Sequence, residues 1–381
     1  MKHFSWKTLR PAGIYLDHNA STPLKLRVAD VMRKFIDTEY GNPSSGHWAA
    51  IEAKSALETA RIQVAQFLAC SPSEIIFTSG GTEANNLALK GAWFSPTRKG
   101  NHIITSAVEH DAIRSPLRFL QKLGAKVTVL PVDSNGRVTP ETVIRAIRPE
   151  TMLISIMHAN NETGTVQPIE EISSIAIDHN ILFHTDAAQS AGKIPTCISE
   201  LGVDMLSLAA HKMYGPKGVG ALFVRRGVRL APHNHGAGHE SGRRAGTESA
   251  MLTAGFGAAC ALAKVKSYEP VRQLRDYFWA QLTQNFGDMV QRNGSDEHCV
   301  PNTLHVSFVN HVGAEILDQL ENVAAATGSA CHAGCIDMSP VLIAMRTPVH
   351  IGMGAIRFSL GHQNTQLEID TIVARLKTIL S

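Results

Sequence analysis

The chain has 381 residues, 44% of them hydrophobic and 18% charged, with a formal net charge of +3. That length allows about two or three domains around a large core, and so small a charge with no Lys/Arg block argues against nucleic acid as a partner. The longest uncharged apolar stretch, residues 251–263, is short of the roughly 18 residues of a membrane span, and the first residues lack the apolar core of a signal peptide. Six cysteines, at 70, 197, 260, 299, 331 and 335, form neither a disulfide framework nor a paired C-x-x-C zinc pattern. A cytoplasmic, reducing setting is expected.

In chain order, a short strand over 14–16 ends in the polar turn D-H-N-A-S-T-P, and helical spacing follows over 26–40 up to the loop G-N-P-S-S-G-H. A helix over 49–68 leads to the strand 75–78 and then to S-G-G-T-E-A-N-N, a glycine turn opening a helix. Such a junction is an anion site, because the free N–H groups and dipole of the helix start face outward; many βα turns with two glycines bind nothing. Strands are expected at 102–105, 126–131, 152–157 and 181–184, with helices ending at 123 and spanning 140–147 and 169–179 between or beyond them. Strand–helix alternation over some 200 residues predicts a mostly parallel sheet covered by helices, with ligands at the carboxyl ends of its strands.

His110, Asn161, Asp186 and Lys212 each follow an apolar strand by a few residues. A strand-end carboxylate with a strand-end lysine suits pyridoxal phosphate: the amine condenses with the aldehyde and the carboxylate keeps the pyridine nitrogen protonated. The pair alone reads more readily as a buried ion pair or as two unrelated surface charges. Convergence of four polar residues on one crevice favours the cofactor.

Residues 225–246 are rich in Gly, His and Arg without periodicity; His233, His235 and His239 read as a polar loop rather than a metal site, and no metal is expected. Helices over 249–264 and 270–285 follow. Short elements at 304–308, 314–320 and 355–360 and a terminal helix over 366–380 describe a smaller α+β domain. Within it, A-T-G-S-A-C-H-A-G-C sets Cys331 and Cys335 among small residues, a setting for a reactive thiol beside His332 rather than for an inert core cysteine. Three possible ligands so close together make metal binding there the competing reading.

Ten motifs in order, among them Y-L-D-H-N-A-S-T-P, S-G-G-T-E-A-N-N, V-E-H-D-A, A-N-N-E-T-G, H-T-D-A-A-Q, H-K-M-Y-G-P-K-G, R-A-G-T-E, G-S-A-C-H and I-R-F-S-L-G, resemble the cysteine desulfurase and selenocysteine lyase family over nearly the whole chain. The resemblance implies a fold-type I, class V enzyme using pyridoxal 5′-phosphate. A large α/β domain over 14–258 would be joined to a small domain over 259–381, with residues 1–13 packed on the latter. It also implies a homodimer. Lys212 would carry the Schiff base, Asp186 pair with the ring nitrogen and His110 stack on the ring. Asn161 and Gln189 would flank the ring hydroxyl. Gly81, Thr82 and His211 would hold the phosphate, with Thr247 reaching in from the partner subunit. Asn19 and Arg357 would bind the substrate carboxylate, with Asp111 near the substrate, and Cys331 would take the sulfur or selenium.

Ala209, where many desulfurases have a serine, Asp111, where they usually have a lysine, G-S-A-C-H and S-P-V-L resemble the selenocysteine lyase branch. The expected reaction is therefore removal of selenium from L-selenocysteine, giving L-alanine. The alternative is a cysteine desulfurase that forms a Cys331 persulfide from L-cysteine and serves an acceptor protein. Cys335 fits neither pattern; it reads as a bystander or as a second acceptor.

Overall fold

The computed structural model describes residues 13–263, 265–327 and 337–380. Its strands are, in chain order, β1 (Ile14–Tyr15), β2 (Ile75–Thr78), β3 (His102–Ser106), β4 (Lys126–Leu130), β5 (Thr151–Ser155), β6 (Leu182–Asp186), β7 (Met205–Ala209), β8 (Gly220–Val224), β9 (Val290–Arg292), β10 (Thr303–Phe308), β11 (Val323–Ala324) and β12 (Ala355–Ser359). Seven of them form one sheet in the order β2-β8-β7-β6-β5-β3-β4. Pairing is parallel from β4 through β7, while β8 is antiparallel to both β7 and β2. Strands β2, β3, β5, β6 and β7 therefore all end at the same edge.

The apolar runs explain the burial. Strands β2, β3, β5, β7 and β8 are buried at every position, as a parallel sheet covered on both faces requires. Their Ile, Leu and Phe side chains contribute about 1.5–3 kcal/mol each by leaving water. The helices Gly81–Trp93 and Asp111–Lys122 pack their Leu87, Ile113 and Leu117 on one face, and Ile169–Asp178 packs Ile169 and Ile172 on the other. Two glycines bring the edge together. Gly80 sits at φ 150, and a Cβ on Gly220 would come 2.7 Å from the carbonyl carbon of Gly80.

The smaller unit is the antiparallel sheet β12-β10-β9, covered by the helices Glu269–Phe286 and Gln366–Leu380. Phe278, Leu304, Phe308, Phe358 and Ile372 form its core, and Leu16 belongs to it. The segment after β1 is thus clamped to the smaller unit: β1 pairs with β11, and Asp17 bridges to Ser359. Cys260, just beyond the expected boundary at 258, packs in the larger core within the helix Ala250–Leu262.

The loop at 225–246 is tied down by charge rather than periodicity. Buried Glu240 takes two hydrogen bonds from Arg61 (2.7 and 2.9 Å) and one from the Phe77 amide (2.9 Å). Arg244 pairs with Glu83 at 2.8 Å. Among the described residues no three His, Cys, Asp or Glu side chains gather as a metal site, and no helix is long and apolar enough to cross a membrane.

Candidate active site

A cavity of about 420 Å³ opens at the shared strand edge. Each strand end contributes to its lining: Gly81 and Thr82 after β2, His110 after β3, Asn161 after β5, Asp186 and Gln189 after β6, and Ala209, His211 and Lys212 after β7. Asn19 and Arg357 reach it from the segments clamped to the smaller unit. Ten of the expected site residues thus share one wall.

Asp186 closes β6 with its carboxylate held in place. Asn85 Nδ2 donates to one oxygen at 2.6 Å and the Ala188 amide to the other at 2.9 Å. His110 caps the helix Asp111–Lys122, its Nδ1 accepting from the Ala112 amide at 3.0 Å. In the neutral ring this bond leaves the proton on Nε2 and fixes the ring plane. Lys212 sits in the single 3-10 turn after β7 and donates to the main-chain oxygens of Asn19 (2.5 Å) and Ala20 (2.9 Å). Burial, reinforced by the Arg357 charge, lowers its pKa to about 8 against the opposing pull of Asp186 and Asp17. Burial and the neighbouring Lys212 and Lys217 likewise lower His211 to about 4, so the ring is neutral at pH 7.

The start of the helix Gly81–Trp93 faces the same cavity. Its first backbone bond runs from the Ala84 amide to Gly80, so the amides ahead of it are the unsatisfied donors of a helix start. A Cβ on Gly81 would meet that of Ala209 at 3.3 Å, a close fit that the small Ala209 side chain permits.

Arg357 lies in β12, 7% exposed. It donates to Asp17 Oδ1 at 2.6 Å and to the Asn161 carbonyl at 2.9 Å, while its buried Nε has no partner among the described residues. The Asn19 side chain is fully engaged. It accepts from Lys193 and Asn302 (both 3.1 Å) and donates to Thr303 Oγ1 (2.8 Å) and the Asn161 carbonyl (3.2 Å). Those four contacts fix the side chain, and its main-chain oxygen is what meets Lys212.

Two of the expected residues that the structure describes, Asp111 and Thr247, are not among those lining this wall. Asp111 does not line the cavity. Its side chain is 70% exposed on the first turn of its helix, 3.9 Å from Arg114, because successive residues of a helix start point in different directions. Thr247 is exposed and away from the cavity of its own chain. Cys331 and Cys335 lie outside the described residues. Three contributors were not expected: Asn85, one turn into the S-G-G-T-E-A-N-N helix; Asp17, which pairs with Arg357; and Lys193, seven residues after Asp186. The repeated Asn in that motif was the available signal for Asn85.

A family model for aminotransferase class-V matches residues 14–372. The chain belongs to the aminotransferase class-V family. It is 45% identical to the cysteine desulfurase IscS of Dictyoglomus turgidum over 378 residues, 96% of each chain. Among solved structures it resembles a NifS-like protein (TM-score 0.90, 37% identity, covering 97% of this chain and 99% of that one). It also resembles a structure described as SspA in complex with cysteine (TM-score 0.83, 37% identity, covering 92% and 100%). The fold is the fold-type I, class V arrangement with a mostly parallel central sheet, and the family's cofactor is pyridoxal 5′-phosphate. These relatives back the cysteine desulfurase reading; the preference for selenocysteine finds no support in them.

The residues present fit that cofactor. The cavity combines an amine whose proton affinity is lowered, an anchored carboxylate and an unsatisfied helix start. Those are the groups that an aldehyde, a pyridine nitrogen and a phosphate each require.

Proposed function

We propose that this chain is a cysteine desulfurase that converts L-cysteine to L-alanine and takes the sulfur onto Cys331 as a persulfide. The observation that carries the proposal is the convergence of Lys212, Asp186, His110 and Arg357 on one cavity. When bound, pyridoxal phosphate supplies an aldehyde for amines and a protonated ring that accepts electrons. Lys212 would hold the aldehyde and, once released by substrate, move the proton at the substrate Cα. Its pKa of about 8 leaves a free-amine fraction near neutral pH. Asp186 would keep the ring nitrogen protonated, and His110 would cover the ring face. Gly81, Thr82 and neutral His211 would hold the phosphate with the helix start; Asn161 and Gln189 would flank the ring hydroxyl.

Arg357, with its unpartnered Nε, is suited to the substrate carboxylate, where a bidentate fork orients the Cα–H bond. The Cys331 thiolate would attack the substrate sulfur. A new S–S bond forms, the Cβ–S bond breaks, and its electron pair stays on the carbon fragment that is protonated to alanine.

A homodimer completes this reading. Leu26, Ile36, Tyr40 and Trp48 are 83, 71, 83 and 79% exposed, apolar side chains that a partner subunit would cover. Thr247, away from its own cavity, is then available to the partner's phosphate. Acceptor proteins for the persulfide follow from the same reading. The test is alanine release from L-cysteine and L-selenocysteine side by side. Turnover of cysteine with sulfur retained on the protein is expected; turnover of selenocysteine alone would overturn the proposal.

A further inference from the structure

Lys193 is among the largest fully buried side chains of the protein, 1% exposed, and among the described residues no carboxylate lies within ion-pair distance of it. Lysine is rarely buried without such a partner, and a methionine would fill the same space at no desolvation cost. Its amine donates instead to two side-chain carbonyls of the cavity wall, Asn19 Oδ1 and Gln189 Oε1, each at 3.1 Å. Gln189 Nε2 in turn donates to the Asn19 main-chain oxygen at 2.9 Å, the same oxygen that receives Lys212. A main-chain carbonyl accepts and never donates, so the nitrogen of the Gln189 amide must face it and the oxygen must face Lys193. One N–H of that amide then remains for the cavity.

We propose that Lys193 is a positioning residue: from beneath the cavity it locks the Gln189 amide with a free N–H toward the bound cofactor and holds the Asn19 main chain against Lys212. The assignment rests on the cofactor reading above. Two donors suffice for both contacts, so the lock operates whether the amine carries two protons or three. The charges around Lys193 are Lys212 and Arg357, both repelling, with Cys299 opposing, and His18 also senses it; burial and these neighbours lower its own pKa to about 7.

The test is the pH titration of bound-cofactor absorbance in the loaded enzyme, for wild type, Lys193→Met, Gln189→Leu and the double variant. Losing a nearby positive charge and losing a donor to a ligand oxygen both favour protonation of the bound cofactor. Lys193→Met is therefore expected to raise the titration midpoint by about one pH unit. It should also lower kcat about 10-fold with KM for cysteine little changed, as for loss of an interaction made in the transition state. Gln189→Leu should shift the midpoint the same way, and the double variant no further than Lys193→Met, because the lysine's hydrogen bond acts through that amide. An unmoved midpoint in loaded Lys193→Met, or fully additive shifts, overturns the assignment. Lys193→Gln, which keeps a donor for the Gln189 carbonyl, serves where the methionine variant does not fold. It must show a smaller shift of the same sign, and no shift overturns the assignment equally. A wild-type protein that takes up no cofactor would overturn the cofactor reading together with this one, whereas an unmoved midpoint in a loaded variant overturns this one alone.

Discussion

Replacing Arg357 by lysine keeps the charge and removes the fork. In the protein as it stands the guanidinium spans Asp17 and the Asn161 carbonyl, with Nε unpartnered and buried. A lysine ammonium is a point donor and can replace one of these directions. Hydrogen bonds to charged groups are worth about 1.5–3 kcal/mol each, so exchanging a two-point clamp on the substrate carboxylate for a single contact loses about 3 kcal/mol. At 1.36 kcal/mol per decade, kcat/KM for cysteine is expected to fall about 100-fold. The assay is alanine release at several cysteine concentrations, with cofactor absorbance measured in parallel to show that the site is still loaded. A loaded Arg357→Lys enzyme within about threefold of wild-type kcat/KM, less than 1 kcal/mol, would refute the clamp.

Lys212→Ala should eliminate turnover, and borohydride reduction of the wild type should place the pyridoxyl group on Lys212; a label on another lysine would contradict the assignment. Glu240→Ala leaves Arg61 buried without its partner and the Phe77 amide without an acceptor, so chemical denaturation should show a loss of about 3 kcal/mol. His184, between Ser155 and Ser207 hydroxyls (2.9 Å each), is lowered by burial to about 3, far below the 6.5 of a free histidine. Between those values the unfolded chain binds the extra proton, so stability is present above pH 6.5 and is lost as pH falls toward 3. His184→Gln should flatten that acid limb by about 1.4 kcal/mol per pH unit, and an unchanged slope in urea midpoints at pH 4–6 would contradict it.

Most of the site was legible because strand ends are legible. The apolar runs before His110, Asn161, Asp186 and Lys212 ended within two residues of the strand ends, and one parallel edge gathered all four. What was hidden depended on direction rather than position. Asp111 follows His110 in the chain, yet the cap geometry that turns the imidazole to the cavity leaves the next side chain in solvent. No local pattern announces the bonds of Asn19 to Thr303 and Asn302, some 280 residues away. Lys193 drew no notice in the turn S-A-G-K, since burial of one amine by long-range packing leaves no periodic trace. The reversed β8 was equally silent: G-A-L-F-V is apolar at every position, and a run buried on both faces reads the same in either direction.

The central claim is that sulfur from cysteine reaches Cys331 through chemistry at Lys212. The direct measurement is peptide mapping by mass spectrometry after one turnover with sulfur-labelled L-cysteine and no reductant, in wild type and Lys212→Ala. One labelled sulfur atom is expected on the peptide carrying Cys331, stoichiometric with alanine, and none in the variant. Alanine formed with all label released as free sulfide and the Cys331 peptide unmodified would contradict it.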